Sequence, residues 1–355
     1  MITLSLCMIV KNEEDVLARC LSCMQDIADE IIIVDTGSSD KTKEIAASYT
    51  QNIYEFPWCD DFAKARNFSF SKATMDYVMW LDADDILTEE NKKLLLSLKQ
   101  NLSSDTDMVM MKYDIAFDEQ GNSTFSYYRE RIFKRSMNFL WVGAIHEVIA
   151  PQGNVFHTDI AICHKKIKEN EEARNLKIFE KMIERGEPLD PRQQYYYGRE
   201  LYYNGRYEEA AEKLTAFLSE KRGWIENNIG ACKDLAACYS AMGLTEKALE
   251  SLFKSFTFDR PRAEICCDIG RHFMMQNRYD LAVFWYETAA ACKPEETGGG
   301  FYLPDCYGYI PYLQLCVCYD RMGDIEKAKE YNELAGAIKP YDKAFLYNKS
   351  YFESI

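Results

Sequence analysis

Asp82-Ala83-Asp84-Asp85 follows directly on the apolar run Tyr77-Val78-Met79-Trp80-Leu81. Three carboxylates in four residues at the end of a buried strand repel one another and lose hydration, and a divalent cation is the least costly way to keep them charged. Asp82 and Asp84 are two apart, so a strand that frays at Ala83 lets both face one cation and one pair of phosphate oxygens. Oxygen ligation of that kind suits Mg2+ or Mn2+. The competing reading is a charged, solvated turn. Asp85 is expected either to cap a helix running from Glu89 or to orient its neighbours.

Other residues could join this chemistry. Asp35 closes the β-branched run Glu30-Ile31-Ile32-Ile33-Val34, where it can accept from a nucleobase imide or a ribose hydroxyl, or cap the helix that follows. Asp40 divides evenly between capping and function. Arg66, in Asp60-Asp61-Phe62-Ala63-Lys64-Ala65-Arg66-Asn67, is placed to pair with a phosphate, to brace Asp82, or to form a surface ion pair. Tyr128-Arg129-Glu130-Arg131-Ile132-Phe133-Lys134-Arg135 is a basic segment in which strand alternation puts Arg129, Arg131 and Phe133 on one face. His146 and Glu147 sit side by side after it. His164 ends the strand-like Ile160-Ala161-Ile162-Cys163 and could complete a metal shell begun by the aspartates or contact a phosphate.

The elements that must position these residues alternate. Leu4–Val10, 30–34, 53–56 and 77–81 read as strands; 13–26, the stretch after Asp40 to about Tyr49, and 60–73 read as helices. That order implies a mostly parallel sheet with helices on both faces, and ligands of such sheets bind at the carboxyl ends of the strands, where Asp35 and Asp82 lie. Neither a G-x-G-x-x-G after the first strand nor a G-x-x-x-x-G-K-[ST] occurs, which disfavours a dinucleotide fold and a P-loop.

Beyond about residue 168 a repeat takes over. Tyr203-Asn204-Gly205-Arg206-Tyr207-Glu208-Glu209-Ala210 returns in register at 241–248, 276–282 and 321–328, with alanines at 210, 248, 282 and 328. The longest interval holds a 12-residue insertion near 293–304 that includes Glu295-Glu296-Thr297-Gly298-Gly299-Gly300. A small residue in each unit lets two helices approach, and Gly or Asn suits the turn before it. The aromatic positions 202, 203, 239, 273 and 319 are expected in inter-helix cores, and a helix over 169–184 is expected to join the two halves.

A net charge of -15 disfavours attraction to nucleic acid or anionic lipid. The opening apolar run is about ten residues long with no basic segment ahead of it, so it reads as a strand and not a signal peptide, and no run reaches the roughly 18 residues of a membrane span. The thirteen cysteines sit in apolar helical contexts without a second matched CxxC, as expected of reduced core thiols in a cytoplasmic protein.

Taken together, Ser5 to Glu13, Ile33 to Asp40 (I-V-D-T-G-S-S-D), Phe62 to Asn67 (F-A-K-A-R-N) and Trp80 to Asp85 (W-L-D-A-D-D) resemble the family 2 inverting glycosyltransferases of the GT-A fold, with 129–133 and His146-Glu147 extending the match. The repeats resemble tetratricopeptide repeats. The resemblance implies a GT-A nucleotide-diphospho-sugar transferase domain over 1–167 and an all-α domain of four repeats over 168–355. It implies a nucleotide-sugar donor, UDP being commonest, with Asp35 reading the base, Asp82 and Asp84 at the Asp-x-Asp position, and Arg66 near the nucleotide or diphosphate. Arg131 and His146 are expected on the donor side, and His164 with Asp82 and Asp84 in the metal shell. One in-line displacement at the anomeric carbon would need a carboxylate base. The acidic pair that supplies it in many relatives is absent; Glu147 is the candidate and Asp85 the reserve. The acceptor could be a protein, peptide, lipid-linked glycan or polysaccharide, and the repeats could serve an acceptor, a protein partner or a homodimer contact. A nucleotidyl transferase would need a glycine-rich basic loop that Met8–Glu14 does not supply. The non-catalytic alternative is a repeat-based scaffold with a degenerate nucleotide-sugar-binding domain.

Overall fold

Alternate residues of the first strands face opposite ways, and both ways are apolar. In β1 (Leu4–Val10), β2 (Glu30–Asp35) and β4 (Tyr77–Trp80), Leu6, Met8, Ile33 and Met79 pack with Leu17, Leu21 and Met24 of α1 (Leu17–Met24), while Cys7, Ile32, Val34 and Val78 form a second cluster on the other face. A strand buried on both sides belongs inside a sheet covered by helices. The computed structural model describes residues 1–118, 121, 123–167, 173–294 and 302–355. Its sheet has the order β3-β2-β1-β4-β7-β6-β8-β5, completed by β3 (Ile53–Glu55), β5 (Asp85–Ile86), β6 (Met108–Phe117), β7 (Ser123–Lys134) and β8 (Val155–His164). β1 pairs in parallel with β2 and β4, β2 with β3, and β6 with β8; β7 lies antiparallel to β4 and β6, and β5 antiparallel to β8. The result is the mostly parallel, GT-A-like sheet that the sequence implied.

Helix bounds are tighter than periodicity suggested. α1 starts at Leu17 because Asn12 takes a left-handed φ of 56° and the amides of Glu13 and Glu14 are held by Thr42 Oγ1 and Asp40 Oδ2. α2 (Thr42–Ala47) is two turns or less. α3 (Phe62–Phe70) starts after Asp60, also left-handed, where Asp61 accepts from the amide of Lys64 as the N-cap. α4 (Glu89–Asn101) is capped by Thr88, which accepts from Asn91; Asp85, expected as a cap, is part of β5 instead.

The chain divides into two compact units, Met1–Gly186 and Glu187–Ile355. α5 (Arg174–Glu184) belongs to the first, where Lys181 pairs with Asp60. The 167/168 boundary, the start of the 169–184 helix and most of the 293–304 insertion fall on residues outside those described.

The second unit is a run of helical hairpins: α6 (Pro191–Tyr203) with α7 (Tyr207–Glu220), α8 (Ile225–Ala241) with α9 (Thr245–Lys254), α10 (Ala263–Met275) with α11 (Tyr279–Ala291), and α12 (Tyr309–Arg321) with α13 (Ile325–Ile338), followed by α14 (Lys343–Glu353). Each hairpin turns on one left-handed residue: Gly205, Gly243, Asn277 or Gly323. The next amide then reaches back five residues, as Arg206 N does to Leu201 O and Arg278 N to Phe273 O, closing the helix end. The alanines at 210, 248, 282 and 328 are all buried. Phe273 and Tyr319 are core; Tyr203, at 61% exposure, is not. Among the described residues no helix is long and apolar enough to cross a membrane, and all thirteen cysteines are free.

Candidate functional site

Parallel pairing aligns the strand ends. Val10 lies opposite Asp35 and Cys7 opposite Trp80, so the loops after β1, β2 and β4 emerge on one edge of the sheet. The short β5 then pairs Asp85 with His164, 79 residues away, and Asp84 O accepts from Lys165 N. This pairing brings the imidazole onto the acidic loop.

The three aspartates have three different surroundings. Asp82 Oδ1 lies 2.8 Å from Arg66 Nη2, and Arg66 Nε donates to Glu147 Oε1 at 2.6 Å, so one buried guanidinium links both carboxylates. The Arg66 guanidinium also lies 4.6 Å from the Trp80 ring and 5.0 Å from Trp141. Burial opposes its charge, but Asp82 and Glu147 outweigh burial and push its pKa up; Asp82 in turn, despite its own desolvation, is held below the usual carboxylate range by Arg66 and Arg131.

Asp85 is fully buried and occupied on both oxygens. Oδ1 accepts from Tyr113 Oη at 2.9 Å and lies 3.2 Å from His164 Nδ1; Oδ2 lies 3.1 Å from Arg131 Nη1 and accepts from Asp82 N. A carboxylate so enclosed supports the loop from beneath and does not reach an acceptor. Arg131 is likewise fully buried, its guanidinium 3.8 Å from the Trp80 ring and 4.3 Å from Tyr113. A bulge puts it there: Val109 pairs with Ile132 and Met110 with Glu130, so Arg131 has no partner residue and simple alternation of 129, 131 and 133 is broken. It therefore braces Asp85 and does not face outward as a phosphate ligand.

Asp84 is the carboxylate left over. Among the described residues its ion-pair partner is His164, with Nδ1 3.3 Å from Oδ1. Burial, and then the repulsion of Asp82 and Asp85 against the pull of His164, pushes its carboxyl above the usual range. Burial would lower the His164 pKa, but Asp85 and Asp84 raise it on balance. Asp84, Asp85 and His164 form a cluster able to hold a metal ion. The two carboxylates suit Mg2+ or Mn2+, and a cation there would take the place of the proton that Asp84 and His164 otherwise share. Asp82, expected in the metal shell, faces Arg66, and Asp85 takes its place in the cluster.

Asp35 is buried at the end of β2. Its Oδ1 accepts from the amides of Gly37 and Ser38, a turn that fixes the carboxylate, while Oδ2 is buried without a hydrogen-bond partner among the described residues. An unmet buried acceptor costs about 1–3 kcal/mol, which a ligand donor would recover. Asp40, by contrast, is a loop brace: Oδ1 accepts from Thr42 N and Oγ1. His146 and Glu147 sit in a loop closed by the bridge between Val142 and Val148, with His146 left-handed at φ 51°. Asn67 anchors that loop through both its amide atoms to Trp141 N and O. Sequence reasoning missed Tyr113, Trp80 and Trp141 as parts of the site. Nothing in their neighbourhoods distinguishes them from core aromatics.

A family model described as Glycosyl transferase family 2 matches residues 5–157. A TPR repeat-containing protein of Synechococcus elongatus is 33% identical over 151 residues, 42% of this chain and 36% of its own length. The SPbeta prophage-derived glycosyltransferase SunS of Bacillus subtilis is 28% identical over 227 residues, 60% of this chain and 52% of that protein. The chain thus spans from about a third to about half the length of these curated relatives. Among solved structures, a crystal structure of MamA covers 40% of this chain at 26% identity with a TM-score of 0.33, and a tetratricopeptide repeat protein from Parabacteroides merdae covers 50% at 15% identity with a TM-score of 0.39.

Proposed function

We infer from one premise, that residues 5–157 of this chain are a glycosyl transferase family 2 domain fused to tetratricopeptide-like helical repeats, that the protein moves a sugar from a nucleotide diphosphate, UDP by preference, to an acceptor with inversion at the anomeric carbon. The observation that carries this reading is Asp84. Of the three clustered aspartates it alone has no arginine partner among the described residues, and it stands beside Asp85 and His164 where a divalent cation would supply positive charge. Such a cation, held by Asp84, Asp85 and His164, would neutralise the departing diphosphate.

The chain's own residues supply the rest. Asp35 Oδ2 accepts from the nucleobase. Asp82, fixed by Arg66, faces the ribose and diphosphate, and His146 lines the donor side of the same loop as Glu147. The acceptor's nucleophile attacks the anomeric carbon as the bond to the diphosphate oxygen breaks, and Glu147 takes the acceptor proton through the oxygen that Arg66 does not hold. The free, largely buried thiols support a reducing, cytoplasmic setting. The protein, peptide, lipid-linked or polysaccharide acceptor is met with the help of the repeats, whose hairpins also suit a protein partner or a second subunit.

Calorimetric titration of UDP with and without Mn2+ tests the reading. Saturable, Mn2+-dependent binding lost in Asp84→Asn is expected, together with slow metal-dependent hydrolysis of a nucleotide sugar. Failure of every nucleoside diphosphate to bind would instead mark a scaffold with a degenerate domain, and turnover that survives removal of all divalent metal would refute the role of the cluster.

A further inference from the structure

We propose that Tyr113 is the positioning residue of the cation cluster, its hydroxyl holding the Asp85 carboxylate and the His164 imidazole toward one another. This rests on reading Asp84, Asp85 and His164 as a cation site. Tyr113 lies on β6, whose parallel pairing with β8 sets Tyr113 opposite Ile162 and Asp114 opposite Cys163, directly before His164. The side chain is 6% exposed, with Oη 2.9 Å from Asp85 Oδ1 and 2.8 Å from His164 Nδ1. No other neutral side chain is within hydrogen-bond distance of His164 Nδ1 among the described residues; the other partners are carboxylates.

The geometry explains why a phenol serves here. Its one proton goes to the acceptor-only Asp85 carboxylate and its oxygen accepts from His164 Nδ1–H, which leaves Nε2 as the imidazole nitrogen for a cation. It therefore fixes two donors without adding charge, and Asp84 stays uncompensated for a cation; a lysine or arginine in the same place would neutralise the cluster. The ring is itself fixed, 4.3 Å from the Arg131 guanidinium and edge-on to His164 and Tyr127, with centroids 5.5 and 5.7 Å away. Partners that orient ligands in this way are worth about 10- to 100-fold in metal affinity.

Titration of the full chain with Mn2+ alone, followed by electron paramagnetic resonance of the free ion, tests this on the wild type, Tyr113→Phe and Asp84→Asn. Tyr113→Phe keeps the ring and its contacts but removes one hydrogen bond from the buried Asp85, so it should still unfold cooperatively while its Mn2+ dissociation constant rises about 10- to 100-fold. Equal Mn2+ affinity in wild type and Tyr113→Phe, with Asp84→Asn defective, would overturn the positioning role and leave the cation site standing. No saturable Mn2+ binding in the wild type would overturn both. If Tyr113→Phe melts several degrees lower, Tyr113→Leu decides: affinity that tracks stability across the two variants would also overturn the proposal.

Discussion

Replacing Asp85 with asparagine removes the anion that faces Arg131 inside the sheet, and should cost the first unit roughly 3–5 kcal/mol. Both side chains are fully buried and 3.1 Å apart. Among the described residues Arg131 Nε and Nη2 already have no hydrogen-bond partner, so the variant leaves a buried cation with Trp80 O at 3.3 Å and two aromatic faces for company. An asparagine amide can still accept from Tyr113 or from Asp82 N, but its NH2 group must then turn toward the donors of Arg131 or of the Tyr113–His164 pair. Against a domain stability of about 5–15 kcal/mol, that loss is a large share. Asp84→Asn, one residue away, should do the opposite: it removes a carboxylate that its two neighbours repel, and so should leave stability unchanged or slightly raised while abolishing the cation site.

Hydrogen exchange under urea, read on peptides covering 77–87 and 123–134, separates the first unit from the repeats. The Asp85→Asn/Arg131→Met pair should recover most of what Asp85→Asn loses, because no uncompensated charge remains. An Asp85→Asn variant within about 1 kcal/mol of wild type would refute the reasoning, since a loss that small is what an exposed ion pair gives. So would an Asp84→Asn variant less stable than Asp85→Asn.

Other expectations follow from single environments. Asp35→Asn keeps an oxygen for the Gly37 and Ser38 amides but turns a donor toward the open Oδ2 position, so UDP binding should weaken by about 1–3 kcal/mol, or about 5- to 150-fold, by calorimetry; an unchanged affinity would end its assignment to the base. Gly198→Ala places a methyl 2.8 Å from Leu214 Cγ and Cδ2. The helix preference for alanine returns about 1 kcal/mol, overpacking costs about 1–3, and a net loss of about 1 kcal/mol should appear in the melting of the repeats; a gain would show that the helices part freely there. Burial pushes the Asp234 carboxyl up, against Arg199 and Lys233. The folded repeats then bind a proton more tightly than the unfolded chain, so this residue's contribution to stability is largest below the ordinary value of about 3.9 and is lost as pH rises through the raised one. The difference in unfolding free energy between wild type and Asp234→Asn should therefore grow toward acid, and a flat difference between pH 7 and 4 would count against it.

How much of this could be read in the sequence depended on distance along the chain. β1, β2 and β4 were legible because each is a short run buried on both faces, and the repeats were legible because one backbone requirement, a left-handed residue met by Gly205, Gly243, Asn277 and Gly323, recurs in register. α1 was read too long because its first turn is taken by bonds to Thr42 and Asp40, on another loop. β5 has two residues and no signature of its own; it exists through its pairing with β8. The same applies to the arginine that joins Asp82 to Glu147, whose partners are 16 and 81 residues away.

The acidic motif shows why that matters. Asp82, Asp84 and Asp85 are indistinguishable by composition, and alternation assigned the first two to one cation and the third to a cap. What separates them is which positive charge the fold delivers: Arg66 from α3 to Asp82, and Arg131 through a bulge in β7 to Asp85. With Arg66 shared by Asp82 and Glu147 and Arg131 on Asp85, no arginine pairs with Asp84 among the described residues; that carboxylate is one-fifth exposed and beside an imidazole. Had the bulge been absent, strict alternation would have carried position 131 to a different place in the strand pair and left Asp85 without its arginine. The charge that makes the loop suited to a cation is thus set on β7 and α3, outside the motif that announces it.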